Sequence, residues 1–183
     1  MESEFVVKKF LIGIAMYVVF IILYFIQADF FSLFTIAGIS PNIFIIFILF
    51  LGLFTDNLFS IIMALLTGIT LDLIVGRATC ISPIIFSIVA IIAGYFDKNF
   101  SKDNKITIMI MVVGMTIVCE IVNYFLNVAI LESLIELKSF IRILLIETLY
   151  NAILTIIFYG AIIKLGYKLE RQFKQKNILT RYF

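Results

Sequence analysis

Two apolar stretches of the chain each carry an acidic residue in line with uncharged polar side chains. The first stretch holds four polar residues at spacings of four, three and four: Thr116, Glu120, Asn123 and Asn127. The second holds four at regular steps of four: Glu147, Asn151, Thr155 and Tyr159. At either spacing the side chains fall on one face of a helix. Carboxyl, amide and hydroxyl groups in this arrangement can form hydrogen bonds, share protons or bind an ion.

An ionisable side chain at the centre of a bilayer costs ~2.5–3.5 kcal/mol or more, so neither polar face is expected to point at lipid. We predict that both faces contribute to one polar interior, where Glu120 either carries a proton or pairs with a base. Arg142 lies about one and a half turns before Glu147 and belongs to the same set of candidates. Three interpretations stay open: a hydrogen-bonded helix-packing core without a ligand, a site for a small molecule or ion, and a docking groove for a partner helix.

A third acid, Asp72, lies near the end of another apolar stretch, between two glycines. Gly68, Asp72 and Gly76 are spaced by four and share one helix face. Small residues on such a stripe favour close packing of helices. One interpretation is an interaction or proton-handling site that includes these residues and Arg77. The other is a carboxylate at a helix end that pairs with Arg77 or caps a neighbouring loop.

Several classes of chemistry are excluded by residues that the chain lacks. The sequence has no His, which excludes a Ser/His hydrolase, an HExxH zinc site and phosphoryl relays through histidine. It has no GxSxG motif and no paired-aspartate signature. Cys80 and Cys119 are isolated in apolar surroundings, which predicts two buried thiols and neither a disulfide framework nor a CxxC redox pair. We therefore expect no catalytic site, no metal site and no cofactor, and predict that the chain is not an enzyme.

The composition of the chain is typical of a membrane protein. Of the 183 residues, 63% are hydrophobic and 14% are charged, against about 45–50% and 25% in soluble domains. A soluble enzyme is excluded, and nucleic acid is not an expected partner. Since one span takes ~20 residues, about six spans fit. The predicted fold is an all-α integral membrane protein, with six transmembrane helices in a single polytopic domain over residues 1–183.

Charge-free stretches and turn signals define the individual spans. They place the six spans, followed by a basic tail over 164–183, at about 10–28, 41–55, 58–75, 81–96, 106–131 and 140–163. Ser40 and Pro41 are typical of an N-cap and a first helical position, which makes the second span short. Residues 29–37 before it are expected to form an interfacial or re-entrant segment on the outer side. The turn signal Thr55-Asp56-Asn57 joins spans two and three in a tight hairpin. No small-residue cleavage site follows the first span, which we expect to be retained.

Basic residues are distributed unevenly between the predicted loops. If both termini lie on one side, that side holds eleven of the fourteen Lys and Arg residues: Lys8, Lys9, Lys98, Lys102, Lys105, Lys164, Lys168, Arg171, Lys174, Lys176 and Arg181. The other side holds Arg77, Lys138 and Arg142. Because cytoplasmic loops retain positive charge, both termini are predicted to be cytoplasmic. Lys164, Lys168 and Arg171 share one face of the tail, which is typical of an anchor attracted to anionic lipids. Docking of a cytoplasmic partner is the alternative.

Four features follow one another along the chain. They are the start of span two at Ser40-Pro41-Asn42, the short hairpin, the motif Gly68-x3-Asp72-x3-Gly76, and Tyr150-Asn151-Ala152-Ile153-Leu154 with Arg171-Gln172-Phe173 after it. In this order they resemble the rod shape-determining protein MreD family, over nearly the whole chain. The resemblance implies a non-enzymatic component of the bacterial cell-elongation machinery, in the cytoplasmic membrane, that acts in peptidoglycan synthesis and rod shape.

The same resemblance implies partners and a fold. The implied partners are a bitopic protein of the MreC type, the glycosyltransferase RodA with its transpeptidase and, indirectly, the actin-like MreB. The implied fold is similar to the substrate-binding S-components of energy-coupling-factor transporters, six helices around a central cavity. An S-component-like solute-binding or transport protein, with a polar cavity between spans five and six, is therefore the alternative function. A pocket of ~300 Å³ or more would favour it if lined by Glu120, Asn123, Glu147 and Asn151. A filled interior would favour the scaffold.

Overall fold

The computed structural model describes residues 2–76, 80–100, 102, 104–131 and 136–173. Within these residues the chain forms six helices of twelve residues or more: α1 (Glu2–Phe25), α2 (Ile43–Phe54), α3 (Asn57–Val75), α4 (Ile81–Asn99), α5 (Lys105–Leu131) and α6 (Leu137–Phe173). All but α2 are long and apolar enough to cross a membrane. The predicted all-α class and the six helices are confirmed, with five of the six long enough to span.

The chain between α1 and α2 begins with helical turns and continues into a tight turn. α1 continues into a π-helical turn (Ile26–Phe30) and one further helical turn (Phe31–Leu33), which cover much of the segment predicted as interfacial or re-entrant. Ile36 and Ile39 then exchange two backbone hydrogen bonds of 3.0 Å. Gly38 between them has a φ of +79°, a conformation that glycine adopts without strain. This turn reverses the chain and leads it into the bundle as α2.

The short helix α2 is the centre of the bundle. Its 12 residues rise about 18 Å at 1.5 Å per residue, against ~30 Å for the hydrocarbon core of a bilayer. Almost all of its residues are buried, and it contacts each of the other five helices. α4 packs against it at Gly52, where an added Cβ would lie 3.2 Å from the carbonyl oxygen of Ala90. A helix buried on nearly every side needs apolar residues all round, which explains why α2 has no polar face.

Lysines hold one end of the bundle together. Lys9 on α1 forms an ion pair with Asp56, in the turn between α2 and α3. Lys102, between α4 and α5, pairs with Asp97 at the end of α4 and with Glu170 on α6. Because the start of α1 and the end of α6 both meet here, this end of the bundle is the one predicted to face the cytoplasm.

α6 is longer than the last predicted span. The sequence placed the end of that span near residue 163, but the helix continues to Phe173, whose ring centroid lies 4.7 Å from that of Phe59 on α3. Lys164, Lys168 and Arg171, the predicted anchor, are exposed on this extension. The rest of the predicted tail, 174–183, lies outside the described residues.

Candidate functional site

A polar pocket of about 250 Å³ opens at the end of the bundle opposite to the lysines. Its polar lining comes from α3, α4, α5, α6 and the segment between α1 and α2: Gln27, Ser40, Asn42, Asp72, Ser82, Glu120, Asn123 and Glu147. Its apolar walls include Phe44, Ile45, Leu71, Val75, Ile85 and Phe86. Helices from the whole length of the chain thus converge on one polar space, which we call the polar pocket.

Glu120 on α5 and Glu147 on α6 lie side by side in the polar pocket. Each residue is only 7% exposed, and both line the same pocket. Oε1 of Glu147 has no hydrogen-bond partner in the part of the chain that the structure describes. Arg142 is exposed and lies outside the pocket lining. The base that could have paired with Glu120 is therefore not among the described pocket residues.

Deeper in the bundle, a hydrogen bond joins the polar face of α5 to the polar face of α6. Asn151 Nδ2 donates to Thr116 Oγ1 at 3.0 Å, and Asn151 Oδ1 accepts from the backbone N–H of Asn42 at 2.9 Å. Thr155 Oγ1 donates to the carbonyl oxygen of Asn151 at 2.7 Å. Asn151 is 0% exposed and does not line the polar pocket. This part of the interior is a hydrogen-bonded packing core.

Towards the C-terminal end of α5, two residues of its polar face bond to each other. Asn127 Nδ2 donates to the carbonyl oxygen and to Oδ1 of Asn123, both at 2.7 Å. Asn123 lines the polar pocket and Asn127 does not. The structure therefore brings together Glu120, Asn123 and Glu147, and it leaves Asn127 outside the pocket.

Asp72 is held by the start of the neighbouring helix. Its Oδ1 accepts from Ser82 Oγ at 2.5 Å and its Oδ2 from the backbone N–H of Ser82 at 3.1 Å. One turn away, Gly68 lets α3 approach α4 closely, since an added Cβ would lie 2.5 Å from Pro83 Cα. Gly68 and Asp72 thus act on the same contact, the packing of α3 against the first turn of α4.

Gly76, the third residue of this motif, has a different role. It ends α3 with a φ of +74°, and no atom lies within 4 Å of an added Cβ. A glycine in this conformation is typical of the residue that follows a helix. Arg77, the predicted partner of Asp72, lies outside the described residues.

The start of α2 differs from the prediction. The sequence placed Ser40 at the N-cap and Pro41 at the first helical position, which is wrong by two residues. α2 begins at Ile43, and Asn42 occupies the N-cap position. The side chain of Asn42 makes no capping hydrogen bond. The first amides of a helix have no partner inside the helix, and here side chains from distant helices supply one. Oδ1 of Asn151 on α6 accepts a hydrogen bond from the backbone N–H of Asn42.

Gln27 supplies the second of these partners and was missed by the sequence analysis. Its Oε1 accepts from the backbone N–H of Ile43 at 3.2 Å, and its Nε2 donates to the carbonyl oxygen of Pro41 at 2.6 Å. The only signal for Gln27 is that it is a lone amide in an otherwise apolar first span. A single residue has no periodicity to detect, so its role appears only in the fold.

A second cavity, about 650 Å³ in volume, runs along the outside of the bundle between α1 and α6, and we call it the lateral groove. α2 forms its floor with Ile43, Ile46, Phe47 and Phe50. The α1 wall is formed by α1 and the two helical turns after it, and consists of Ile12, Met16, Val19, Leu23, Ile26, Phe30 and Phe31. The α6 wall consists of Leu154, Phe158, Ala161, Ile162, Leu165, Lys168, Leu169 and Gln172. The lateral groove is therefore apolar except at the end where Lys168 and Gln172 lie.

The fold and its two cavities define a polytopic, α-helical membrane protein. Its described residues contain no group of three or more His, Cys, Asp or Glu side chains that could hold a metal ion. The family model for the rod shape-determining protein MreD matches residues 8–169 of the 183-residue chain, and the chain belongs to the MreD family. This family determines cell shape as part of the rod-shape machinery and is not a known enzyme family.

The other comparisons gave no relatives. No curated protein and no solved structure matches the chain. The similarity to S-components of energy-coupling-factor transporters therefore stays a prediction, as does the orientation of the termini.

Proposed function

We propose that the chain is a non-enzymatic scaffold of the bacterial cell-elongation machinery in the cytoplasmic membrane. In this proposal the lateral groove binds the single transmembrane helix of an MreC-type bitopic partner. RodA, its transpeptidase and, indirectly, MreB join the same assembly. Both termini face the cytoplasm, where the exposed Lys164 and Arg171 contact anionic lipid headgroups. The lateral groove is the observation that carries the proposal.

Both walls of the lateral groove have the residue spacing of a helix-packing seam. On α1 and the π-helical turn after it, six lining residues are separated by four, three, four, three and four positions: Ile12, Met16, Val19, Leu23, Ile26 and Phe30. On α6, six lining residues follow the same spacing: Leu154, Phe158, Ala161, Leu165, Lys168 and Gln172. Two contact positions in every seven keep one face of a helix turned towards a partner helix over many turns. A third helix seated between the two walls would complete both seams.

The length of the lateral groove suits a helix that crosses the membrane. From residue 12 to residue 30, and from 154 to 172, each wall rises about 27 Å, close to the ~30 Å of the hydrocarbon core. Helices associate within lipid through van der Waals contacts, since lipid tails are as apolar as the side chains. A long groove supplies many such contacts. Lys168 at the cytoplasmic end favours an acidic residue at the same level of the partner helix.

The polar pocket bears on the alternative, an S-component-like protein that binds a solute. Its volume of about 250 Å³ is below the ~300–1,000 Å³ that is usual for ligand sites. Three of the four residues expected to line such a cavity do so, but Asn151 is used in helix packing. These observations favour the scaffold over a vitamin-sized solute site.

Two adjacent residues provide a matched test of the lateral groove. Ala161 is exposed and lines the groove, so Ala161→Trp would fill it without disturbing the core. Gly160 is also exposed, lines neither cavity, and has no atom within 4 Å of an added Cβ. When the MreC-type protein is co-produced, Ala161→Trp is expected to reduce its co-purification at least about tenfold, equivalent to about 1.4 kcal/mol. Gly160→Trp is expected to leave co-purification unchanged.

The comparison is made at equal amounts of membrane-inserted chain. Equal co-purification with both tryptophan variants would show that the partner does not bind in the lateral groove. Loss of the partner with Gly160→Trp as well would also count against the groove, because Gly160 does not line it.

A further inference from the structure

The polar pocket holds two acidic side chains and, among the described residues, no basic side chain in its lining. Glu120 and Glu147 are each 7% exposed, and none of the described residues that line the pocket is Lys or Arg. The third acid of the pocket, Asp72, is already engaged by two hydrogen bonds from Ser82. A buried charge without a partner costs several kcal/mol. The Glu120–Glu147 pair is therefore neutralised either by bound protons or by a cation from elsewhere.

Within the described part of the chain, two acceptor atoms at the polar pocket also lack hydrogen bonds. They are Oε1 of Glu147 and Oδ1 of Asn42, which are shielded from solvent and have no partner among the described residues. Native proteins leave few buried polar atoms unpaired, so these two acceptors mark the place of a missing donor. A group that donates hydrogen bonds and carries positive charge satisfies both requirements at once.

We propose that the polar pocket binds an organic cation, an alkylammonium or guanidinium group, which enters from the outer end of the bundle. An ammonium group offers three donors and a guanidinium five, and neither accepts. Phe44 and Phe86 line the pocket with ring centroids 6.3 Å apart, and aromatic faces attract such cations. This proposal concerns the polar pocket alone and does not depend on what occupies the lateral groove.

A bare metal ion fits the polar pocket less well. The described residues contain no group of three or more His, Cys, Asp or Glu side chains that could hold a metal. The pocket volume of about 250 Å³ is several times the ~30 Å³ that one water occupies. Its apolar walls suit the hydrocarbon stem of an amine. The cation could be a free amine or a basic side chain from the outer segment of a partner protein, and the chemistry of binding is the same.

The test uses the purified chain in detergent, with n-butylammonium as the probe and 1-butanol as its neutral counterpart. A ligand that binds only the folded state raises the midpoint of thermal unfolding in a saturable way. We expect this saturable rise with butylammonium and not with butanol. Glu147→Gln and Glu120→Gln are each expected to weaken the apparent affinity at least about tenfold. Asp29→Asn removes an exposed acid from the same end of the bundle, outside the pocket, and is expected to leave the affinity unchanged.

Three results would overturn the proposal. The first is an equal effect of butylammonium and butanol. The second is an unchanged affinity in whichever of the two glutamine variants elutes as a single folded species. The third concerns Arg77, which lies outside the described residues. If butylammonium acts on Arg77→Ala and not on the unaltered chain, the chain's own arginine fills the pocket.

A further arm distinguishes the two sources of the cation. The same titration is carried out on the chain co-purified with its partner. A butylammonium effect that disappears in the complex supports the proposal and assigns the cation to a basic side chain of the partner. An effect that persists in the complex supports the proposal and assigns the cation to a free amine.

Discussion

Asp72 of α3 caps the first turn of α4 through Ser82. The carboxylate accepts from the Ser82 hydroxyl at 2.5 Å and from the Ser82 backbone N–H at 3.1 Å. The first amides of a helix lack partners inside the helix, and this end of a helix carries partial positive charge. A carboxylate accepts hydrogen bonds from these amides, and its negative charge is attracted to this end of the helix. Asp72 is only 3% exposed, so the contact joins two helices inside the protein and not at its surface.

Asp72→Ala is expected to destabilise the fold. It leaves the Ser82 amide and hydroxyl without their acceptor, and bonds to a charged group contribute about 1.5–3 kcal/mol each. We expect the free energy of unfolding in detergent to fall by about 2–3 kcal/mol. Ser82→Ala is the matched variant, and the double variant is expected to lose less than the sum of the two. If Asp72→Ala kept full stability and lost the co-purifying partner, Asp72 would belong to a docking surface instead.

Gly68→Ala tests the close approach of α3 to α4. The added methyl group would lie 2.5 Å from Pro83 Cα and 2.6 Å from Pro83 N, and backbone atoms cannot move aside as a side-chain end can. Overpacking of this kind costs about 1–3 kcal/mol, measured as a lower midpoint of thermal unfolding. Gly114→Ala on α5 is the control, because no atom lies within 4 Å of its added Cβ. It is expected to be neutral or slightly stabilising. Equal effects of the two substitutions would mean that α3 and α4 are farther apart than described.

The helices and their turns could be predicted from local sequence. Runs without charge located all six helices, and the signal Thr55-Asp56-Asn57 placed the turn between α2 and α3 where the structure has it, after Phe54 and up to Asn57. Periodicity also placed Glu120 and Glu147 on inward faces. These features depend on residues within one or two helical turns of each other, which a pattern in the sequence records directly.

The partners of individual side chains could not be predicted in this way. Lys102 was counted as one of many positive loop residues, yet it is 9% exposed. Its ammonium donates to the carbonyl oxygen of Leu53 at 2.6 Å and to Glu170 Oε1 at 2.9 Å. These partners are 49 and 68 residues away in the sequence. Only the fold brings them together, just as it brings Gln27 to the start of α2.

Lys102→Met is expected to destabilise the lysine-held end of the bundle. Methionine keeps most of the apolar stem but leaves Asp97 and Glu170 facing each other without the ammonium, which also lies 4.8 Å from the ring centroid of Phe54. Removing one partner of a buried ion pair costs about 3–5 kcal/mol, so the midpoint of thermal unfolding should fall clearly. Lys98→Met, at an exposed position nearby, removes the same charge and is expected to have little effect. Similar losses in both variants would mean that net charge matters here and not the buried contacts.

The native cysteines offer a test of the predicted orientation. The sequence predicted two buried thiols, which is confirmed for Cys119 (2% exposed) and wrong for Cys80. Cys80 is exposed because it lies outside the helix, directly before α4, at the end of the bundle where the polar pocket opens. If the lysine-rich end faces the cytoplasm, as the distribution of Lys and Arg predicts, Cys80 faces the outside. A membrane-impermeant maleimide should then label the chain in intact spheroplasts. Cys80→Ser should abolish this labelling and Cys119→Ser should leave it unchanged. Labelling of Cys80 only after the membrane is permeabilised would reverse the orientation and place the polar pocket on the cytoplasmic side, where an outer segment of a bitopic partner could not reach it.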